Sequence, residues 1–297
     1  MVYLAVGLMV SVGQSLHRIR DTQKKDGESM PTILDQIMSH TLLSVLDRKA
    51  AANMPALERN AAAHLPRGFE AALRKAAAEG PAIIAECKKA SPSRGVLRGE
   101  DYRPGVIAQG FASVGAAAIS VLTDEEFFKG SIEDLKAVSQ AVKIPVLRKD
   151  FILDAFQLLE GKAAGADAVL LIVSAHTDAD LKELYAAARR LGLDVLVEVH
   201  DREELDRAVN LGATVIGVNS RDLTTMQVDP NVHTQLAKWM PTNVVRVAES
   251  GIKAPEDIER LLGEGYDAFL VGETLMRQPD PAAALALLME KDYASEA

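Results

Sequence analysis

The sequence predicts an α/β fold, a single (β/α)8 TIM barrel behind an N-terminal helical extension. Three observations predict it. Eight short aliphatic runs alternate with helical patterns, PAIIAE, AAISVLT, IPVLRKD, AVLLIVS, DVLVEVH, VIGVNS, VVRVAES and AFLVGE. One residue near the end of each run (Glu86, Thr123, Lys149, Ser174, Glu198, Asn219, Glu249 and Gly272) gives separations of 21 to 37 residues, one βα unit apiece. No GxGxxG follows the first run, which disfavours an open dinucleotide-binding sheet.

Composition agrees with that class and removes others. The chain has 297 residues, a length that suits either two domains or one barrel of about 250 residues. With 48% apolar and 25% charged residues it is an ordinary soluble globular sequence, not a disordered or collagen-like one. The balance of 33 Lys+Arg against 42 Asp+Glu, net −9, argues against a nucleic-acid partner. It leaves room for an anionic ligand at a local basic site. The one cysteine, Cys87, excludes an intrachain disulfide, a zinc cluster and a CxxC redox pair, and fits a cytoplasmic setting.

From the N-terminus, MVYLAVGLMVSVG is an apolar run of 13 residues, too short to span about 30 Å of hydrocarbon. No basic residue precedes it and no clear cleavage site follows, so no membrane partner is expected. Residues 1–29 are expected to be an unstructured leader or an upstream mis-start, with Met30 as the natural start. Residues 30–80 form the helical extension: a helical pattern from Thr32 to Ala63 and a second helix from Pro66 to Ala78, closed by Gly80-Pro81. Residues 81–297 form the barrel. Gly165-Ala166-Asp167, Gly212-Ala213-Thr214 and Gly265-Tyr266-Asp267 precede strands four, six and eight, where glycine ends a helix with positive φ.

Barrel active sites lie at the C-terminal ends of the strands. Those ends carry Glu86 and Lys88, Arg148 and Lys149, Glu198, Asn219 and Arg221, then Glu249. Inward polar residues can pair as a structural layer, but so many charges at one face point to acid–base chemistry. Glu86 and Lys88, two residues apart, share a strand face; Cys87 points the other way, as a core residue rather than a catalytic thiol. Ser91-Pro92-Ser93 opens a loop that either binds phosphate or caps a turn. Ser250-Gly251 after strand seven and Gly272-Glu273 after strand eight form a phosphate-site pattern, in which Glu273 contributes its N–H and turns its side chain away. The histidines, His200 included, read as surface or packing residues. No metal-ligand spacing is present, and neither a metal nor a cofactor is expected.

The motifs IIAECKKASPS, SVLTDEEFFKGS, PVLRKDF, LVEVHD, GVNSRDL, VAESGI and FLVGETLMR, in this order, resemble those of the indole-3-glycerol phosphate synthase family from about Ile33 to the end. The resemblance implies a carboxy-lyase of tryptophan biosynthesis. Its substrate is 1-(2-carboxyphenylamino)-1-deoxyribulose 5-phosphate, closed to indole-3-glycerol phosphate with loss of CO2 and water. It implies that Lys88 holds the substrate carboxylate, Glu198 stabilises the cationic intermediate, Glu86 and Asn219 serve hydroxyl loss, and Glu249 holds ribulose hydroxyls. Phe128 would form an apolar wall; Ser91, Ser250, Gly251, Leu270, Gly272 and Glu273 fall at substrate or phosphate positions, with Arg221 near the rim. The partner is a small phosphorylated molecule, and the expected state is a monomer or a weak associate of other tryptophan-pathway enzymes.

One segment departs from the pattern as we read it. LTDEEFFKG carries Glu125 and Glu126 where the family is expected to have a lysine acting as general acid. Lys129, Lys88 and Lys149 are the replacements considered, with a glutamate of raised pKa ranked last. Two other readings stay open at this point: an enzyme like phosphoribosylanthranilate isomerase, and a barrel that binds a sugar phosphate without turning it over.

Overall fold

The computed structural model of the protein describes residues 31–290. The expected leader and Met30 start lie outside the described residues. Eight parallel strands close into one barrel: β1 Ala82–Cys87, β2 Ala118–Leu122, β3 Val146–Lys149, β4 Ala168–Ile172, β5 Asp194–Val199, β6 Val215–Asn219, β7 Val245–Glu249 and β8 Ala268–Val271, with β8 pairing back onto β1. Three helices precede the barrel: α1 Ile33–Ala51, α2 Met54–Ala63 and α3 Phe69–Ala77. The rest surround or follow it: α4 Pro104–Ser113, α5 Ile132–Ala141, α6 Ala155–Ala163, α7 Asp178–Arg190, α8 Arg202–Leu211, α9 Asn231–Ala237, α10 Pro255–Gly263, α11 Glu273–Met276 and α12 Pro281–Met289. A two-strand hairpin, Ala90–Ser91 with Gly95–Val96, sits in the loop after β1.

Both faces of the barrel strands are buried, which explains their near-continuous aliphatic runs. Outward residues such as Ile83, Ile119 and Val197 pack on the helices, while Ile84, Leu147, Leu170, Leu196 and Val247 fill the interior. Cys87 belongs to the outer layer, fully buried, where burial pushes its thiol pKa up. The glycines predicted to end helices do so: Gly165, Gly212 and Gly265 have φ of 95°, 81° and 93°.

The extension differs from its expected outline. The helical pattern from Thr32 to Ala63 is two helices, because Ala52 turns extended and Asn53 caps a new helix with Pro55 in its first turn. The second helix starts at Phe69 instead of Pro66, behind left-handed Gly68. Thr32 and Asp35 form a reciprocal capping box at the head of α1. Arg48 and Lys49 at its foot pair with Glu160 on α6 and Asp154, the α6 N-cap. Further on, Arg67 and His64 converge on Asp167, and Phe69 and Leu73 join the interior apolar cluster. The extension thus runs from the C-terminal face, down α6, to the opposite end of the barrel.

Candidate active site

Strand register sets the site. Leu122 pairs with Lys149, Ile172 with Glu198 and Asn219 with Glu249, so the polar residues ending β3, β5, β6 and β7 share one layer. With period-two alternation they face inward together. They floor a pocket whose walls include Leu122, Leu170, Ile172, Phe128 and Phe151, and whose mouth carries Ser91, Ser93, Arg221, Ser250 and Glu273. The two phenyl rings lie 6.3 Å apart between centroids, tilted by 38°, and form an apolar slot.

The floor holds three ion pairs, two of them sharing Lys149. Lys88 Nζ lies 2.7 Å from Glu86 Oε1. Lys149 Nζ lies 2.8 Å from Glu198 Oε2 and 3.4 Å from Glu249 Oε2. Asn219 Nδ2 donates to Glu198 Oε1 at 3.1 Å, and its own Oδ1 accepts the Arg221 N–H, which fixes the amide. Burial alone would lower the Lys149 pKa, but Glu198, Glu249 and Glu86 outweigh it, so the ammonium stays charged. Burial would raise Glu198, yet Lys149 and His200 bring it below the ordinary carboxylate range. Glu249 goes the other way. Burial and the neighbouring Glu198 charge push it up, and neither of its oxygens has a hydrogen-bond partner. With Lys149 committed to Glu198, burial and that neighbouring charge favour the protonated form of Glu249 more than that of Glu198.

Glycines make room for these acids. A Cβ on Gly272 would overlap the Glu86 carboxylate, and one on Gly217 would overlap that of Glu249. At the mouth, Ser250 and Gly251 both take left-handed backbone, φ 64° and 77°. For Ser250 this is a strained state of the kind held at binding turns. Thr274 Oγ1 donates to Ile252 O at 2.7 Å and ties the β7 and β8 loops together.

Most of the predicted residues meet here: Glu86, Lys88, Ser91, Phe128, Lys149, Glu198, Asn219, Arg221, Glu249, Ser250 and Glu273 all line the pocket. Gly251, Leu270 and Gly272 stand behind the lining; Leu270 pairs with Glu249 in register and packs in the interior cluster. Lys129 stands apart, outside the pocket lining, its side chain half exposed and 3.9 Å from Glu126. Glu273 differs from expectation, because its carboxylate faces the mouth, pairing with Arg94 at 2.9 Å and Arg221 at 3.3 Å. The helix behind it, α11, is a single turn of 4 residues, too short to add much dipole. Arg148 also leaves the expected cluster. Adjacent strand residues face opposite ways, so with Lys149 inward it is buried outward, bonded to Asp150, Glu160, Thr123 and the Gln157 carbonyl.

The sequence reading missed Phe151, Asp150, Arg94, Leu223 and Met226 as lining or rim residues. Phe151 closes the quoted PVLRKDF motif, two residues past the end of β3, so strand-end position alone could have found it; Arg94 directly follows the IIAECKKASPS motif, in the hairpin turn after β1. Leu223 and Met226 sit in an irregular loop with no periodic signal.

A closed barrel with convergent ammonium and carboxylate groups below a mouth lined by serine and arginine side chains defines a (β/α)8 enzyme built for acid–base chemistry. The family model for indole-3-glycerol phosphate synthase matches residues 34–288. The indole-3-glycerol phosphate synthase of Koribacter versatilis is 51% identical over 260 residues, covering 88% of this chain and 100% of the relative. That of Albidiferax ferrireducens is 48% identical over 261 residues, covering 87% and 98%. The chain belongs to the indole-3-glycerol phosphate synthase family, decarboxylating lyases of tryptophan biosynthesis that close the indole ring of a small phosphorylated substrate. An N-acetylmannosamine-6-phosphate 2-epimerase from Clostridium perfringens shares the fold alone, at 17% identity and TM-score 0.50 over 66% of this chain and 88% of that one. So does a thiamine phosphate pyrophosphorylase from Pyrococcus furiosus, at 18% and 0.53 over 70% and 93%. No helix among the described residues is long and apolar enough to cross a membrane.

Proposed function

We propose that Lys149 is the general acid of ring closure, and one observation carries this: its ammonium stands between Glu198 and Glu249 at the pocket floor. The anthranilate ring lies in the Phe128–Phe151 slot, and Lys88 holds its carboxylate. The aromatic carbon attacks the ribulose carbonyl carbon, and the carbonyl oxygen takes the Lys149 proton as the C–C bond forms. Glu198, kept anionic, stabilises the cationic ring nitrogen beside it. Carbon dioxide then leaves, and its bonding pair returns to the ring. Glu249 holds a proton next to the ribulose hydroxyls and supplies it to the departing hydroxyl, which leaves as water; Glu86 takes a proton from the adjacent ring CH2, whose bonding pair becomes the ring double bond, while Asn219 steers the hydroxyl. At the mouth, Arg94, Arg221, Ser91 and the Ser250-Gly251 turn take the phosphate, which displaces the Glu273 carboxylate from its arginines. The buried position of Cys87 fits a reducing, cytoplasmic setting, and a monomer or weak pathway associate is the proposed state.

Lys149→Met should lower turnover of the carboxyphenylamino substrate, followed by indole fluorescence, by about 10² to 10⁴-fold. Lys129→Ala should stay within about threefold of the parent, since losses of acid–base groups are far larger. The reverse pattern would return the acid role to Lys129.

A further inference from the structure

His200 is not part of the pocket lining, yet it touches the anion at the centre of the site. Its Nε2 lies 3.3 Å from Glu198 Oε1, an ion-pair contact that falls short of a full hydrogen bond. Its Nδ1 lies 3.0 Å from Glu204 Oε2, and the His200 backbone N–H donates to that same oxygen at 2.8 Å. Glu204 is itself placed by the start of α8, where Asp201 caps the helix by accepting the Glu204 N–H at 2.9 Å. The ring is thus gripped on one edge and aimed with the other.

The partners of Glu198 divide by oxygen. Lys149 holds Oε2, while Asn219 and His200 share Oε1. The charged groups around the imidazole are Glu198 on β5 and Glu204 on α8, with Lys149 from β3 and Glu249 from β7 on the far side of Glu198. This arrangement meets a need created by the reaction. Once Lys149 has passed on its proton, the cationic ring nitrogen faces Glu198 only until carbon dioxide leaves; after that, without His200, Glu198 would be a fully buried carboxylate with no cation beside it, a costly state. We propose that His200 is a positioning residue for Glu198: clamped by Glu204, it fixes the Oε1 edge of that carboxylate and keeps it anionic while Lys149 is neutral. The inference rests on the role proposed above for Glu198. Burial would lower the imidazole pKa, but the contacts with Glu198 and Glu204 outweigh it and raise it to about 10, so the ring is cationic throughout the neutral range.

The test uses the full chain. In the parent, the ring signal of His200 followed by NMR should stay that of the imidazolium from pH 6 to 8, whereas an ordinary histidine titrates near ~6.5. His200→Gln should lower kcat by about 10-fold with KM little changed, a smaller loss than removal of an acid–base group itself. It should also move the acid limb of the kcat profile to higher pH, because Glu198 loses a counter-charge. Glu204→Gln keeps an acceptor for the backbone N–H but removes the clamp's charge, and should shift the limb in the same direction by less. Titration of His200 near its ordinary value, or an unmoved acid limb in both variants, would overturn the proposal. If His200→Gln does not fold, Glu204→Gln and the parent titration decide it. Full activity in Glu198→Gln would instead remove the catalytic reading, an outcome distinct from the titration, which is read without turnover.

Discussion

Glu249 is buried with two oxygens that accept no hydrogen bond, beside an ammonium already engaged by Glu198. Its pKa is raised by burial and then by Glu198, so its folded-state value lies above the unfolded one. For such a group the stability is present at low pH and is lost as pH rises through the folded value. Glu249→Gln keeps the shape and removes that loss. The variant should therefore match or exceed the parent in stability at pH 9, by about 1 kcal/mol or ~2–4 °C in Tm, with the gap closing toward pH 5. Its turnover should fall, because the proton proposed for the departing hydroxyl is gone. A thermal melt series across that pH range checks the first part; a gap that widens toward acid would contradict it. Strand parity is the residue-scale signal that the sequence offers. It sent Cys87 outward correctly, and applied to Arg148-Lys149 it would have separated the buried ion network from the site. The Glu198–Glu249 contrast was not legible, since it comes from one shared lysine across three strands.

At the scale of elements, the strands carry two kinds of information. Their spacing and aliphatic content were visible in the sequence, and so was the placement of acids at their ends. The glycines within them were less so. Gly217, inside β6, reads as an ordinary small residue, yet a Cβ there would overlap the Glu249 carboxylate and come within 3.1 Å of Leu196 Cδ1. The carboxylate is the free end of a flexible chain, so it can swing aside at little cost to folding. It cannot do so and stay beside Lys149. Gly217→Ala should thus cost activity more than stability: about 10²-fold in kcat, the lower edge of an acid–base loss, with Tm changed by only a few degrees. Activity at the parent level with the same fold would mean that Glu249 is not needed where it stands. The extension was legible as helical but not in its break, because Asn53-Met54-Pro55 has the cap and proline of a helix start within an unbroken apolar pattern.

For the whole molecule, the decisive contact is at the end of the barrel opposite the site. Asp167, fully buried before β4, accepts from the Arg67 backbone N–H at 2.8 Å, from Arg67 Nε at 2.8 Å and from the Val146 N–H at 2.6 Å, with His64 Nε2 at 3.1 Å. Asp267, in the matching triplet before β8, accepts the Arg246 N–H in the same way at 2.8 Å but, among the described residues, has no such link to the extension. The repeated Gly-x-Asp therefore closes strand starts in both places, and at Asp167 it also anchors the segment between α2 and α3. Burial would raise the Asp167 pKa, but the bonds from His64, Arg67 and Val146 outweigh it and lower it. A lowered carboxylate contributes stability above its unfolded pKa, about 3.9, and loses it as pH falls through the folded value. Asp167→Asn leaves Arg67 without its anion in a partly buried position, an effect of about 3 kcal/mol. At ~2–4 °C per kcal/mol for a domain of this size, Tm at pH 7 should fall by about 6–12 °C. The deficit should shrink below about pH 4, where the parent carboxylate begins to protonate. Turnover per folded molecule at 25 °C should change little, because the site lies at the other end of the strands. A melt unchanged at pH 7 would show that the extension is held to the barrel by its α6 contacts and apolar plug alone.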